Sequence, residues 1–453
     1  MFVLTGRSIF ERGIAMLKSH HVLFCCLFAF QLITHCFAAD NTISDEDKVP
    51  PYIIPDALLC VDGSKVANAE MWTSKRRPEL MKLFETEVYG KMHGRPEKMT
   101  FEIVSTDRAS LGGRATRKEI MVYFLGAKDG PKMRILLYVP NGAKKPVPSF
   151  IGLNFNGNHT VADDPGITLA NLWVKNGRDN QIMRQRADFE TRGAKSSQWC
   201  VEMLISRGYA VGTVYYGDIE PDFADGWKSS GVRAALSKDG AKTLFAADDW
   251  GAIGVWAWGL SRILDYLETD SDVDAKHVGV IGHSRLGKTA LWAGVTDERI
   301  ALVISNNSGC GGAALSKRIF GETVGRINTS FPHWFCGNFK KYNENEKDLP
   351  VDQNELIALI APRPVYVASA VEDKWADPKG EFLSVKHAEP AYKLFGLEGV
   401  GVDDMPGVDK PIGKFIGYHI RTGKHDVLPY DWEQYIGFAD RHFNYSVGST
   451  TSR

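Results

Sequence analysis

The chain has no surplus of charge, few cysteines and no apolar run long enough to cross a membrane, and each shortage removes a class of protein. Lysine plus arginine number 54 against 55 acids, a formal charge of −1. With no basic excess and no long run of one sign, nothing points to a nucleic-acid partner or a charged tail. Seven cysteines among 453 residues are too few for a disulfide-stapled scaffold. No Cys-x-x-Cys or His-x-x-x-His spacing suggests a metal site, and no cofactor is expected. Repeats and low-complexity tracts are also missing. What remains is 44% apolar and 24% charged, an ordinary globular balance that rules out disorder, collagen-like chains and coiled-coil rods. The length is near the upper limit for one continuous core.

Close to the start, Lys18 precedes the apolar stretch from Val22 to Phe30, which continues through Leu32 and Ile33 to the exit Cys36-Phe-Ala-Ala39. A basic flank, a short apolar run and an Ala-type cleavage site read as a secretory signal peptide over residues 1–39, with Met16 a possible true start. The run is shorter than the roughly 20 residues of a spanning helix, so no stable membrane insertion is expected after cleavage. An uncleaved anchor is the competing reading. His35 is not the small residue that a lipoprotein Cys36 would need before it. Without residues 1–39 the balance is 51 bases against 54 acids, and the cysteines are Cys60, Cys200, Cys310 and Cys336. An exported chain can oxidise these. Cys310 with Cys336, in one loop-rich segment, is the favoured pair, and four buried free thiols are the alternative.

Residues 40–100 are Pro-rich and polar, then helix-like from Pro78 to Val88, and read as an N-terminal wrap. From residue 101 to 446 the pattern changes. Short β-like runs at Thr100–Val104, Glu119–Leu125 and Arg134–Val139 lead into alternating strands and helices. The strands expected are Phe150–Phe155, Ala210–Tyr216, Val278–Ile281, Ala301–Ser305, Pro364–Ser369 and Ile416–Arg421. Helices are expected at Gln198–Arg207, Asp248–Leu267, from Leu286, and at Asn354–Ile360, Gly380–Phe395 and Asp431–His442. Apolar runs of this length separated by helices indicate a mostly parallel sheet covered on both faces, an α/β three-layer sandwich. Residues 447–453 read as a tail.

The sharpest feature is Val278-Gly-Val-Ile-Gly282-His283-Ser284-Arg285-Leu286-Gly287-Lys288. An apolar strand runs into a Gly-flanked serine and directly into a helix, the setting of a nucleophile elbow in an α/β-hydrolase fold. The turn is tight, so glycines must stand beside the serine, and the backbone N–H groups at the helix start face a developing oxyanion. The usual spacing is G-x-S-x-G, whereas here the second glycine comes three residues after Ser284. A phosphate-binding turn or a plain Gly-rich connection is the bland alternative.

The order Ser, acid, His of α/β-hydrolases directs attention to two later strand ends. After Pro364–Ser369 comes Glu372-Asp373-Lys-Trp375-Ala-Asp377. After Ile416–Arg421 comes Thr422-Gly-Lys-His425-Asp426, where a general base belongs. His425 is expected to take the Ser284 proton, with Asp373 as the acid that orients it and Asp377 as the alternate. Asp426 is expected to point away and cap the last helix.

These residues resemble the glucuronoyl esterases of carbohydrate esterase family 15, especially the bacterial ones. The signature G-x-S-R-x-G-K is matched by Gly282-His-Ser284-Arg285-Leu-Gly287-Lys288. Further matching blocks are Asn154-Phe-Asn-Gly-Asn158-His, Tyr216-Gly-Asp-Ile-Glu-Pro221, Trp250-Gly-Ala-Ile-Gly-Val-Trp256-Ala-Trp258, Ser308-Gly-Cys-Gly-Gly312, Phe331-Pro-His-Trp334-Phe and Trp375-Ala-Asp-Pro-Lys-Gly-Glu381-Phe. The resemblance implies a serine esterase that cleaves the ester between 4-O-methyl-glucuronic acid of glucuronoxylan and an alcohol such as those of lignin. It also implies that Arg285 and the backbone amide of Leu286 contact the oxyanion, and that Lys288 meets sugar hydroxyls. Glu322, Trp334 and Trp375 are candidates for the pocket wall.

Three departures stand out. Many members carry the triad acid as a glutamate before Ser-Gly-x-Gly, and Asn307 stands there, which moves the acid role toward Asp373. The cysteine before the nucleophile in fungal relatives is His283 here. The fungal sugar-contacting glutamate is replaced near Phe331. Two rival readings are an acetyl-xylan or other carbohydrate esterase with the same triad, and a non-catalytic glycan-binding protein. A secreted or periplasmic monomer is the expected form.

Overall fold

The computed structural model describes residues 42–175, 182–236 and 246–445. The signal-peptide reading, the Met16 start and the tail at 447–453 lie outside the described residues. Twelve strands are present among the described residues: β1 Thr100–Ser110, β2 Ala115–Tyr123, β3 Lys132–Pro140, β4 Val147–Asn154, β5 Asn171–Lys175, β6 Ile182–Arg186, β7 Ala210–Tyr215, β8 Val273–His283, β9 Leu302–Asn306, β10 Val365–Ala370, β11 Ile412–Gly413 and β12 Ile416–Arg421. Ten of them form one sheet in the order β1-β2-β3-β7-β4-β8-β9-β10-β12-β11. From β7 through β12 every neighbour is parallel, whereas β1, β2, β3 and the short β11 pair antiparallel.

The central strands read as unbroken apolar runs because both of their faces are covered. Along β9 and β10, Val303, Val365 and Val367 enter one core, and Leu302, Ile304, Tyr366 and Ala368 enter the other. The first core is closed by the helices Arg77–Glu87, Ala252–Leu267, Arg285–Thr296, Gln353–Ala358 and Pro378–Lys393. The second is closed by Val201–Ser206 and Pro429–Phe443. Ala252–Leu267 is buried along all 16 residues, and its polar residues are paired inside, Arg262 Nε donating to Asp265 Oδ2 at 2.6 Å. The expected three-layer α/β sandwich is what these residues build. Among the described residues no helix is long and apolar enough to cross a membrane.

The structure departs from the sequence reading in a few places. The single helix expected over 198–207 is split, because Cys200 adopts a left-handed φ of 44° between Ser196–Trp199 and Val201–Ser206. The β5–β6 hairpin was not expected: it lies outside both apolar cores and so carries no buried face to write into the sequence. The favoured Cys310–Cys336 pairing is not made. Cys60, Cys200, Cys310 and Cys336 are all free thiols. Cys336 Sγ turns to the Thr86 carbonyl at 3.6 Å, while both Cys310 and Cys336 sit in the core as small apolar groups.

Residues from the Pro-rich N-terminal stretch are built into this core rather than laid on it. Trp72, Leu80 and Phe84 are fully buried in it, and Arg76 Nη2 donates to Glu355 Oε1 at 2.6 Å with both side chains nearly sealed from solvent. Breaking such a pair strands a charge in the interior. Arg76→Met is expected to lower the unfolding free energy by about 3–5 kcal/mol, read as a lower urea midpoint at unchanged slope.

Candidate active site

At the carboxyl end of β8 the chain turns through Ser284, whose φ of 57° and ψ of −129° lie in sparsely populated territory for a residue with a side chain. Two hydrogen bonds hold it there. Ser284 N donates to the Asn306 carbonyl at 2.9 Å, and the Ser284 carbonyl accepts from Gly287 N at 2.8 Å. The glycines are steric requirements. A Cβ on Gly282 would fall 1.8 Å from the Leu286 carbonyl oxygen, and one on Gly287 would fall 2.9 Å from Ser308 Cβ. The second contact explains the displaced glycine. In this chain the close approach is between the second half of the helix's first turn and the loop after β9, so the small residue belongs at 287. Leu286 turns its side chain into the core instead.

Strand pairing brings His425 to Asp373. β10 and β12 are parallel neighbours with Ala370 opposite Arg421, and their exit loops stay joined, Glu372 N donating to the Gly423 carbonyl at 3.0 Å. Asp373 and His425 therefore meet, with 2.5 Å between Asp373 Oδ2 and His425 Nδ1. Asn307 Nδ2 donates to the same carboxylate oxygen at 2.8 Å. Burial pushes the Asp373 carboxyl upward, but His425 and Asn307 outweigh it and hold the acid below the usual carboxylate range. Asn307 thus serves this carboxylate as a donor. No hydrogen bond joins Ser284 Oγ to His425 among the described residues. Both line one cleft of about 310 Å³ with Asp373, Arg285, Lys288, Glu322, Trp334 and Trp375.

Asp377, the alternate acid, turns elsewhere. Its Oδ1 accepts from Gly380 N at 3.0 Å and caps the helix Pro378–Lys393, with Arg318 at 3.6 Å. Burial pushes its carboxyl up to about 7. Asp426 does not cap the last helix as expected. It accepts from Gln198 Nε2 and Val427 N, and Asp431 receives the Leu428 N–H at 2.7 Å in its place.

Arg285 leaves the first residue of the helix and is paired with Asp222. Its guanidinium carbon lies 4.7 Å from the Trp334 ring centroid and 5.5 Å from those of Phe155 and Phe331. Burial works against the Asp222 charge, yet His333, Arg285 and Trp334 pull its carboxyl down to about 2. Trp334 is a framework ring. Phe331 stacks on it at 3.7 Å, and its Nε1 donates to Asp222 Oδ1 at 2.7 Å. Trp375, by contrast, is 43% exposed at the cleft rim.

Lys288, one helical turn beyond Ser284, is buried with its ammonium donating to the Ser308 carbonyl at 2.5 Å. It also reaches Glu322 Oε2 at 3.4 Å. Beneath them Glu381 gathers Ser308 N at 2.8 Å, Gly309 N at 3.0 Å and Ser369 Oγ at 2.6 Å, which fixes the loop that carries Asn307. Burial pushes the Glu381 carboxyl up to about 8. His283, next to the nucleophile, lies 4.4 Å from His425 ring to ring. Burial and that neighbour hold it down to about 4, so it stays neutral there. Its Nδ1 lies 2.6 Å from Asn306 Oδ1.

With this geometry in hand, known proteins supply a family. A carbohydrate esterase from an unknown prokaryotic organism is 50% identical over 398 residues, covering 88% of this chain and 91% of that protein. The solved glucuronoyl esterase from Solibacter usitatus is 50% identical, with a TM-score of 0.84 over 88% of this chain and 100% of that one. A promiscuous family 15 carbohydrate esterase from a marine bacterial metagenome has a TM-score of 0.81 at the same identity, over 88% and 100% of the two chains. The chain belongs to carbohydrate esterase family 15, the glucuronoyl esterases. The family model for fungal glucuronyl esterase matches residues 234–396.

For a glucuronoyl esterase chain, most of the chosen site residues converge on the cleft; Leu286 lies below it and Asp377 beside it. Sequence reasoning passed over Asp222, the partner of Arg285, and it quoted Phe155, His333 and Glu381 only inside matching blocks. Asp222 directly follows the quoted Tyr216–Pro221 block, and that adjacency was the one available signal.

Glu381 offers a direct test of the loop. Its carboxyl sits higher folded than unfolded, so its contribution to stability is full below pH 4.5 and is lost as pH rises toward about 8. Glu381→Gln is expected to flatten the decline of stability between pH 5 and 8, measured by urea unfolding at a series of pH values.

Proposed function

We propose that this chain is a serine esterase that hydrolyses the ester between (4-O-methyl-)glucuronic acid of glucuronoxylan and an alcohol such as those of lignin. One observation carries the reading. A single cleft holds a serine on a nucleophile elbow, an Asp373–His425 pair, and two cations, Arg285 and Lys288, on the helix that starts at the serine. The ester itself is neutral, so the cations serve the oxyanion that forms on it, the hydroxyls of the sugar and the glucuronate that is released. An acetyl group brings no hydroxyls and needs only a small apolar slot. Relatives named 4-O-methyl-glucuronoyl methylesterase support it, among them that of Podospora anserina, 39% identical over 35% of each chain.

In this reading Ser284 Oγ attacks the ester carbonyl carbon while its proton passes to His425 Nε2. Asp373, ionised and bonded to Nδ1, holds the tautomer and stabilises the imidazolium. The oxyanion is met by Arg285 and by backbone N–H groups at the helix start, including that of Leu286. As the tetrahedral intermediate collapses, the C–O bond to the alcohol breaks and His425 returns the proton to the leaving oxygen. Water then attacks the acyl-enzyme with His425 as base, and glucuronate departs from a restored Ser284. Lys288 and Glu322 serve the sugar hydroxyls, with Trp375 at the rim.

Further parts of the reading concern the whole chain. Residues 1–39 act as an export signal, 40–100 as an N-terminal wrap, 101–446 as the catalytic domain and 447–453 as a tail. The mature protein works as a secreted or periplasmic monomer on a glucuronoxylan or lignin–carbohydrate ester.

Methyl glucuronate ester is expected to be turned over well ahead of p-nitrophenyl acetate, and efficient acetate cleavage without glucuronate cleavage would overturn the substrate assignment. Ser284→Ala is expected to lower kcat by about 10⁴-fold or more while the protein still binds glucuronate, measured by titration of released acid and by calorimetry. Asp373→Asn is expected to cost a similar factor of about 10⁴ at neutral pH, whereas Asp377→Asn is expected to change stability more than kcat.

A further inference from the structure

Asp222 is a carboxylate with a purpose that neither burial nor core packing accounts for. Its side chain is only 8% exposed, and it accepts from four donors. His333 Nε2 at 2.8 Å and Trp334 Nε1 at 2.7 Å bond Oδ1, while Tyr216 Oη at 3.0 Å and Arg285 Nη1 bond Oδ2. The first two donors are fixed from behind. The His333 and Trp334 carbonyls accept from Ala252 N at 2.8 Å and Ile253 N at 3.1 Å, the first turn of the fully buried helix Ala252–Leu267. A line of hydrogen bonds therefore runs from the sealed core helix, through Asp222, to a guanidinium on the cleft wall.

Arginine has a long side chain with much rotamer entropy to lose on being fixed, and an oxyanion donor is useful only if it is fixed before charge develops. We propose that Asp222 is a positioning residue for the esterase reaction, holding Arg285 in the one orientation that leaves its remaining N–H donors facing the oxyanion. Phe155, Phe331 and Trp334 confine the guanidinium by contact, and Asp222 sets its direction. This rests on the reading of Arg285 as an oxyanion donor.

The test is a double-mutant cycle on the full chain with methyl glucuronate ester as substrate. Asp222→Asn keeps the shape and keeps an oxygen for His333 and Trp334. Its amide NH₂ then faces Tyr216 and Arg285; the hydroxyl can turn to accept from it, but the guanidinium has no acceptor to offer. Asp222→Asn alone is expected to lower kcat by about 10–100-fold with KM changed by less than about twofold. In an Arg285→Ala background the same substitution is expected to change kcat by less than about twofold. An equal loss in both backgrounds, or an effect confined to KM, would overturn the proposal and leave Asp222 as a structural support. Undiminished kcat in Arg285→Ala alone would overturn the oxyanion assignment and the proposal with it. Should Asp222→Asn fail to fold, His333→Gln, which loosens the same carboxylate, is put through the same cycle with the same expectations.

Discussion

A serine held at positive φ between a parallel strand and a helix sets the terms for everything around it. Ser284 can occupy that turn only because Gly282 and Gly287 remove the Cβ atoms that would strike the Leu286 carbonyl and Ser308. The helix that starts at Arg285 then has to pack on the sheet, and it does so with Leu286, Ala290, Leu291 and Trp292 buried. Local strain is compensated by tertiary burial, so the hydroxyl stands above the sheet edge without freedom to relax. Both cations of the cleft, Arg285 and Lys288, ride on the same turn and are placed by it.

Around this turn the protein keeps its carboxylates in different states by different surroundings. Asp373 and Asp222 each face donors that outweigh burial, and both lie below the usual range. Glu381 and Asp377 are buried more deeply, burial outweighs their donors and neighbouring cations, and both are raised. The division follows the partners. Lowered acids touch His425 and Arg285 in the cleft. Raised acids brace backbone, Glu381 under the Ser308 loop and Asp377 at a helix start. His283 beside His425 is kept neutral by burial and by that neighbouring ring.

Much of this was legible in the chain. The strand-serine-helix run, the Ser-acid-His order and the apolar strands of the parallel sheet are local patterns, and each is written in residues close together. The choice between Asp373 and Asp377 was not legible, because four residues of loop conformation decide which carboxylate faces the imidazole and which caps a helix. Nor was the fate of the cysteines. Their spacing allowed a bridge between Cys310 and Cys336, but side-chain direction inside the core denies it.

The sequence by itself determined most of the elements, their order and the serine turn, since periodicity and steric need at a tight turn are properties of neighbouring residues. Tertiary structure decided between partners or supplied them: Asp373 over Asp377 with His425, Asn307 with Asp373, and Asp222 with Arg285. These pairs are 52, 66 and 63 positions apart, and they meet through strand register and helix packing. Contacts made across such separations leave no period in the chain.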